Sequence, residues 1–508
     1  MPNKIQHGDT EARSENGFLG GRVPAWWILA AGMLLRIAQY AHNRSLWFDE
    51  SLLALNILHR PFGHLLQPLD YNQGAPIGFL FLQKLITVLF GGSEFALRAL
   101  PLAAGLASLF LFWRVANLCV APRVAVLAIA LFAVSGALVY YSSEVKQYSF
   151  DVAVSLGLLW AVLACRNSAF DARKLVLLGA LGAAAIWFSH PASLLLAGVG
   201  MVLIVETAAA RDWTRIQRLP APMLIWVLSF AICYLVTLHG LSRNHALLDY
   251  WQEYFFPTPF WRWHSVAWFF DRSVAIVGEL TDMVPILGAA LVVAGIGAMW
   301  RNRRDILFLL IAPVLVTVLA AALHKYPLGG RLLLFCCPIL LLLLAEGTVW
   351  CAEKLGGRLP LVAPVVIALV LAQPIVTAAY HLIHPTLIED IRPAIAYIRS
   401  RQRPGDVWYV YHFARFQFQY YAERQGLSRE NVRIGEDCAG DRKCYLADLD
   451  HLRGTPRVWI LFSHIWTGDG VNEEELFVNH LDGIGVRLDE FHARQARAYL
   501  YDLSPKKP

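Results

Sequence analysis

Residues 24–51 read PAWWILAAGMLLRIAQYAHNRSLWFDES. The first part, about 24–42, is an apolar run long enough to cross a ~30 Å hydrocarbon core as a helix. The second part, Asn43 to Ser51, turns aromatic and acidic where a membrane interface would begin. No small-residue cleavage site follows the run, and many further apolar runs do. It therefore reads as a retained first span rather than a secretory signal.

The pattern recurs outward to about Tyr380. Of the 508 residues, 57% are hydrophobic and 16% charged, where a soluble domain carries about 25% charged. Mean hydropathy is +0.47. The net charge of +6 does not point to nucleic acid, because the Lys and Arg residues sit in short clusters between apolar runs. About eleven spans are expected: 24–42, 97–116, 122–140, 149–165, one reaching Trp187, one after Pro191, 221–238, one ending at Arg301, 306–323, one after Arg331, and 361–380. Basic clusters at 114–123, 166–174, 211–218, 301–304 and 354–358 belong inside by the positive-inside rule. The N-terminal tail 1–23 is then cytoplasmic. The loop 43–96, the turns near 141–148 and 324–331, the wide loop 239–275 and the C-terminal domain 381–508 are then external. Pro76 to Phe90 is short for a span and holds Gln83 and Lys84, so it reads as a surface helix of the first external loop.

Six of the eight cysteines lie in or beside apolar runs and read as small hydrophobes. Cys438 and Cys444 share a polar loop, where a disulfide implies an oxidising compartment. On residue type alone, Asp49 and Glu50 suit a helix N-terminus as well as catalysis. Glu144 is the second external acid, with Lys146 two residues on. Arg331, Lys325 and Arg98 at span ends suit either phosphate or lipid headgroups. Tyr148 is an interfacial aromatic or a substrate contact, and His190 stands in a tight external turn. The loop 239–275 is rich in aromatics, which suits an amphipathic interfacial segment or a lipid groove.

Trp47-Phe48-Asp49-Glu50 after the first span resembles the acidic motif of the GT-C glycosyltransferase superfamily. The nearest groups are the protein O-mannosyltransferase (glycosyltransferase family 39-like), lipid A aminoarabinose transferase and lipopolysaccharide galacturonosyltransferase families. Ala75-Pro76-Ile77-Gly78-Phe79, Gly92 to Arg98, Ser143 to Tyr148 and Gly330-Arg331 continue the resemblance in order and on one side. Two departures stand out. Asn72-Gln73-Gly74-Ala75-Pro76 replaces a basic or imidazole contact, and Lys146 stands where relatives carry Arg, keeping charge without a bidentate fork.

The resemblance implies a polytopic α-helical GT-C membrane domain, residues 24–380, with a small C-terminal α/β soluble domain. It implies an inverting transferase of the inner cell membrane, with its site on the periplasmic or extracellular side. The enzyme would move a sugar from a polyprenyl-phosphate donor to a lipid, polysaccharide or protein of the envelope. Asp49 would be the base, Glu50 and Glu144 further catalytic acids, and Arg331, Lys146 and Arg98 ligands of the donor phosphate; Lys325, from its place beside the same turn as Arg331, is a further candidate for that phosphate. Tyr148 would touch substrate, and His190, from its place in the external turn before Pro191, is a further candidate for a substrate contact. No cofactor is assigned, and a divalent metal on Asp49 and Glu50 stays open. An oligosaccharyltransferase with a diphosphate donor is the same-class rival, and a transporter, lipid flippase or non-catalytic scaffold the rival of another class. The absence of a clear repeat and of mid-membrane candidate charges weighs against transport.

Beyond His381, alternation predicts helices over 391–401, 413–425 and 473–480, and strands over 406–411, 457–462 and 496–503. No phosphate-binding glycine loop precedes a helix there.

Overall fold

The computed structural model describes residues 25–505 apart from 168–170, 260, 357–360, 429 and 469. The expected tail 1–23 and Arg358 of the last basic cluster lie outside them. The membrane part runs α1 (Ala25–Ala41), α2 (Phe48–His59), α3 (Ile77–Phe90), α4 (Glu94–Cys119), α5 (Pro122–Val134), α6 (Gly136–Tyr141), α7 (Tyr148–Asn167), α8 (Ala172–Phe188) and α9 (Pro191–Ala209). It continues through α10 (Trp213–Arg218), α11 (Pro220–Cys233), α12 (His239–Leu241), α13 (His245–Tyr250), α14 (Trp263–Thr281), α15 (Pro285–Asn302), α16 (Arg304–Ala322), α17 (Cys337–Gly356) and α18 (Val362–Ile383).

Among the described residues, eight helical stretches are long and apolar enough to cross a membrane. Three further expected spans are shorter. α1 and α8 have 17 described residues each, and the run 122–140 is split into α5 and α6 at Ser135. The split has a local cause. Fully buried Arg36 donates to the carbonyls of Phe132 and Ala133 at 3.2 and 3.1 Å, satisfying the end of α5. Asp282 accepts the amide of Gly136 at 2.6 Å and caps α6. Helices α15 and α17 cross where Gly295 and Gly347 meet, and a Cβ on either would strike the other helix's backbone. The chain is a multi-pass membrane protein.

α3 has 14 residues, too short to span, as expected for the segment at 77–90. Lys84 does not snorkel to lipid. It donates to the carbonyls of Ile57 and Leu58 at 2.8 and 2.9 Å, the orphan acceptors at the end of α2. The wide loop 239–275 is largely helical, since α14 starts at Trp263 with an amphipathic face.

The C-terminal domain carries β1 (Val407–Val410), β2 (Val432–Ile434), β3 (Val458–Ser463), β4 (Thr467–Gly468), β5 (Val471–Asn472), β6 (Val486–Ala493) and β7 (Ala496–Asp502). Its helices are α19 (Ile391–Arg401), α20 (Arg415–Gln425), α21 (Arg442–Asp450) and α22 (Glu473–Ile484). The main sheet has the order β2-β1-β3-β7-β6, parallel among the first three and antiparallel after. β3 is buried at every position, which is why it reads as a continuous apolar run. β2 and the exposed, charged β6 lack that signal and escape a sequence reading. Cys438 and Cys444 form a disulfide with Cα atoms 5.8 Å apart. One apolar core joins Leu46, Leu53, Ile57 and Phe79 of the first loop to Ile391, Tyr409 and Trp459 of this domain. The loop is thus packed between membrane helices and the sheet.

Candidate active site

Four chain segments meet at the N-terminus of α2. Helix geometry places adjacent side chains about 100° apart, so Asp49 and Glu50 face different partners. Asp49 Oδ1 accepts from Lys146 Nζ at 2.9 Å and from Gln73 Nε2 at 3.3 Å, while Oδ2 accepts from Arg331 Nη1 at 2.8 Å. Lys146 also donates to Gln73 Oε1 at 2.6 Å. Burial alone would raise the Asp49 carboxyl. The Lys146 and Arg331 charges outweigh it and hold the group at about 2. Burial lowers the Lys146 ammonium despite Asp49.

Glu50 points inward and is fully buried. It accepts from Arg98 Nε at 3.0 Å and Nη2 at 2.6 Å, and from the Val145 amide at 2.8 Å. Burial raises it, and Arg98 and Arg44 more than reverse that, leaving it below the usual carboxylate range. Arg98 also donates to the carbonyls of Arg44 and Ser45 at 2.6 and 3.2 Å. Its position corrects the expectation of a phosphate ligand, since a 2% exposed guanidinium is held on four acceptor oxygens, two of Glu50 and the carbonyls of Arg44 and Ser45. Arg98 and Glu50 instead tie together the chain around Arg44-Ser45, the start of α4 and the segment holding Val145. The open question of a metal on Asp49 and Glu50 is also answered by the donor set. Each carboxylate is already paired with cationic donors, and Lys146 and Arg331 would repel a divalent ion, so these residues do not fit one.

Glu144 is 1% exposed, and among the described residues neither carboxylate oxygen has a hydrogen-bond partner. It does not pair with Lys146, which is drawn to Asp49. Burial, then the Glu50 charge, push it up to about 7. Among the described residues, Arg331 makes a single side-chain hydrogen bond, to Asp49. Its guanidinium lies between the rings of Trp47, Tyr148 and Trp251, 5.8, 5.8 and 5.5 Å from their centroids. Gly329 is obligatory beside it, because a Cβ there would lie 2.5 Å from the Trp251 ring. Tyr148 is therefore in the cluster. Lys325 is exposed and His190 half-buried, and neither bonds to the cluster among the described residues. Burial pushes His190 down to about 4.

Sequence reasoning left out Gln73, Trp47 and Trp251 as site residues. Gln73 stands in the segment already noted as departing from relatives, which was the available signal. Trp251 is one of many aromatics in its loop, and only the fold selects it.

Most of the chain superposes on two crystal structures of ArnT from Cupriavidus metallidurans. One, in the apo state, has TM-score 0.54 and 14% identity over 95% of this chain and 99% of that one. The other, bound to undecaprenyl phosphate, has TM-score 0.53 and 13% identity over 94% and 98%. The chain has the ArnT-like GT-C fold. The GT-C match extends to the archaeal oligosaccharyltransferase AglB from Archaeoglobus fulgidus, in complex with an inhibitory peptide and a dolichol-phosphate. There the TM-score is 0.52 and the identity 10%, over 95% of this chain and 74% of that one. The family described as Dolichyl-phosphate-mannose-protein mannosyltransferase matches residues 74–239, about a third of the chain. No curated protein matches.

Proposed function

We propose that this GT-C chain is an inverting glycosyltransferase that moves a sugar from a polyprenyl monophosphate to an acceptor of the cell envelope. The carrying observation is Asp49 set between Lys146 and Arg331 beside three aromatic rings. A transferase of this kind needs a base beside the cations that receive the leaving phosphate. The acceptor oxygen attacks the anomeric carbon, the C–O bond to phosphate breaks, and the electron pair leaves on the phosphate. Lys146 and Arg331 stabilise that charge, and Asp49 takes the acceptor's proton. Likeness to an ArnT structure bound to undecaprenyl phosphate supports the lipid donor.

In this reading residues 24–380 form the catalytic membrane domain, with 43–96 as its first external loop. Residues 381–508 form an external domain, and the protein resides in the inner membrane. The basic loops and the Cys438–Cys444 bridge support that orientation. Glu144 is a second acid whose carboxyl, pushed up to about 7 by burial and the Glu50 charge, exchanges its proton near neutrality.

Envelope glycolipids and glycoproteins of a deletion strain, profiled by mass spectrometry, test the reading. Wild type should restore a lost sugar, and Asp49→Asn should not. Full restoration by Asp49→Asn would remove Asp49 as the base. Reporter fusions within 43–75 should report an external loop.

A further inference from the structure

The stretch that leads into Asp49 is bonded at almost every residue by the C-terminal domain. Ser45 Oγ donates to Asp390, the Leu46 amide donates to Tyr421 Oη at 2.8 Å, and Gln417 Nε2 donates to the Leu46 carbonyl at 3.0 Å. The Phe48 amide, an orphan donor of the first turn of α2, donates to Glu389 Oε2 at 2.8 Å. Glu389 is 4% exposed and lies between α18 and α19, 341 residues from Phe48. The same oxygen accepts from Gln417 Nε2 at 2.9 Å, and His464 Nδ1 stands 2.6 Å from Oε1. The His464 ring stacks on Phe48, centroids 4.1 Å apart and planes 9° apart. His464 follows β3 with φ of 54°, a left-handed conformation that non-glycine residues rarely hold without support.

A carboxylate usually caps a helix from its own chain neighbourhood. Here Glu50 covers the Trp47 amide at 3.4 Å locally, and the next amide is covered from another domain. Phe48 immediately precedes Asp49, so its amide plane and ring set where the Asp49 backbone starts. We infer that Glu389, braced by His464 and Gln417, is a positioning residue for Asp49, so that docking of the C-terminal domain completes the active site. This rests on the catalytic reading of Asp49. Misplacement of a reacting group by about 1 Å can cost two orders of magnitude in rate.

Hydrogen exchange read by mass spectrometry on the full chain in lipid nanodiscs tests this. Glu389→Ala should speed exchange in peptides covering 43–52 by about tenfold or more, leaving strand 458–463 at the wild-type rate. Glu389→Gln retains a carbonyl oxygen for the Phe48 amide and should bring exchange back toward wild type. In the deletion strain, Glu389→Ala should restore less than about a tenth of the sugar that wild type restores, while undecaprenyl phosphate binds within about threefold of wild type, a turnover effect rather than a binding one. Unchanged exchange over 43–52 in Glu389→Ala would overturn the proposal. So would exchange that rises equally over 458–463 in both variants, or sugar transfer at wild-type level despite a loosened loop. If wild type itself restores no sugar, the catalytic reading fails, and the exchange result still decides whether Glu389 holds the loop.

Discussion

Arg331 Nη1 donates to Asp49 Oδ2 at 2.8 Å, while Lys146 holds the other oxygen at 2.9 Å. The two cations that the proposed mechanism offers to a donor phosphate are therefore the two that hold Asp49 at about 2. A phosphate entering this site competes with Asp49 for both. Its arrival weakens their hold and returns basicity to the carboxylate, which suits a base needed only once donor is bound.

Asp49→Asn should accordingly separate binding from turnover. Removing the competing anion should tighten undecaprenyl phosphate binding, on the order of tenfold. Transfer should fall by roughly 10²–10⁴. Native mass spectrometry in nanodiscs gives the first quantity, and envelope profiling the second. Weaker lipid binding in the variant would contradict the competition.

Arg331→Lys keeps the charge but loses the planar fork and its stacking against Trp47, Tyr148 and Trp251. Lipid-phosphate affinity should drop by roughly ten- to a hundredfold, given about 1.5–3 kcal/mol for a charged hydrogen bond. Lys325→Met, at an exposed position without a bond to the cluster, should leave affinity within about twofold. An equal loss in both variants would mean headgroup attraction rather than a built site.

Arg98→Met should damage stability before function. It strands the buried Glu50 carboxylate, a change that costs about 3–5 kcal/mol. Arg98→Met with Glu50→Leu should recover part of that loss in thermal unfolding in detergent. A stable Arg98→Met protein that fails to bind lipid phosphate would return Arg98 to the phosphate ligands.

Glu144 has a testable pH signature. Its folded value of about 7 lies above the ordinary 4.5, so between those values the native state keeps a proton that the unfolded chain releases. The contribution is full below about 4.5, falls as pH rises, and is gone above about 7, a span of roughly 3 kcal/mol. His190 and His412, each pushed down to about 4 by burial, slope the other way between 4 and 6.5. The comparison is therefore with Glu144→Gln. The variant should match wild type near pH 4.5 and become the more stable of the two by pH 7.5. Parallel melting curves across that range would show that Glu144 is not the titrating group.

The spans at α4, α7, α9, α15, α16, α17 and α18 were legible because lipid imposes a length and a composition that local sequence must satisfy. α19, β1, β3 and β7 were legible from apolar runs and alternation. The split at Ser135 was not, because its satisfying partners, Arg36 and Asp282, come from distant helices. β2 and β6 were missed because each leans on a neighbouring strand and carries little apolar signal of its own. In the site, Asp49, Lys146, Tyr148 and Arg331 were named from order along the chain and do converge. Lys325 and His190 were named only from their places beside expected external turns, and among the described residues they form no bond with that cluster.

Asp49 and Glu50 mark the division most sharply. Their adjacency, at the end of an apolar run and before an amphipathic one, was enough to locate a helix start at a membrane interface, since hydropathy and dipole preference act over a few residues. Their tasks were not decidable there. Which carboxylate faces Arg331 and which is sealed against Arg98 depends on contacts 282 and 48 residues away. Electrostatic partnership follows distance in space, which only the packed helices and the docked sheet domain establish.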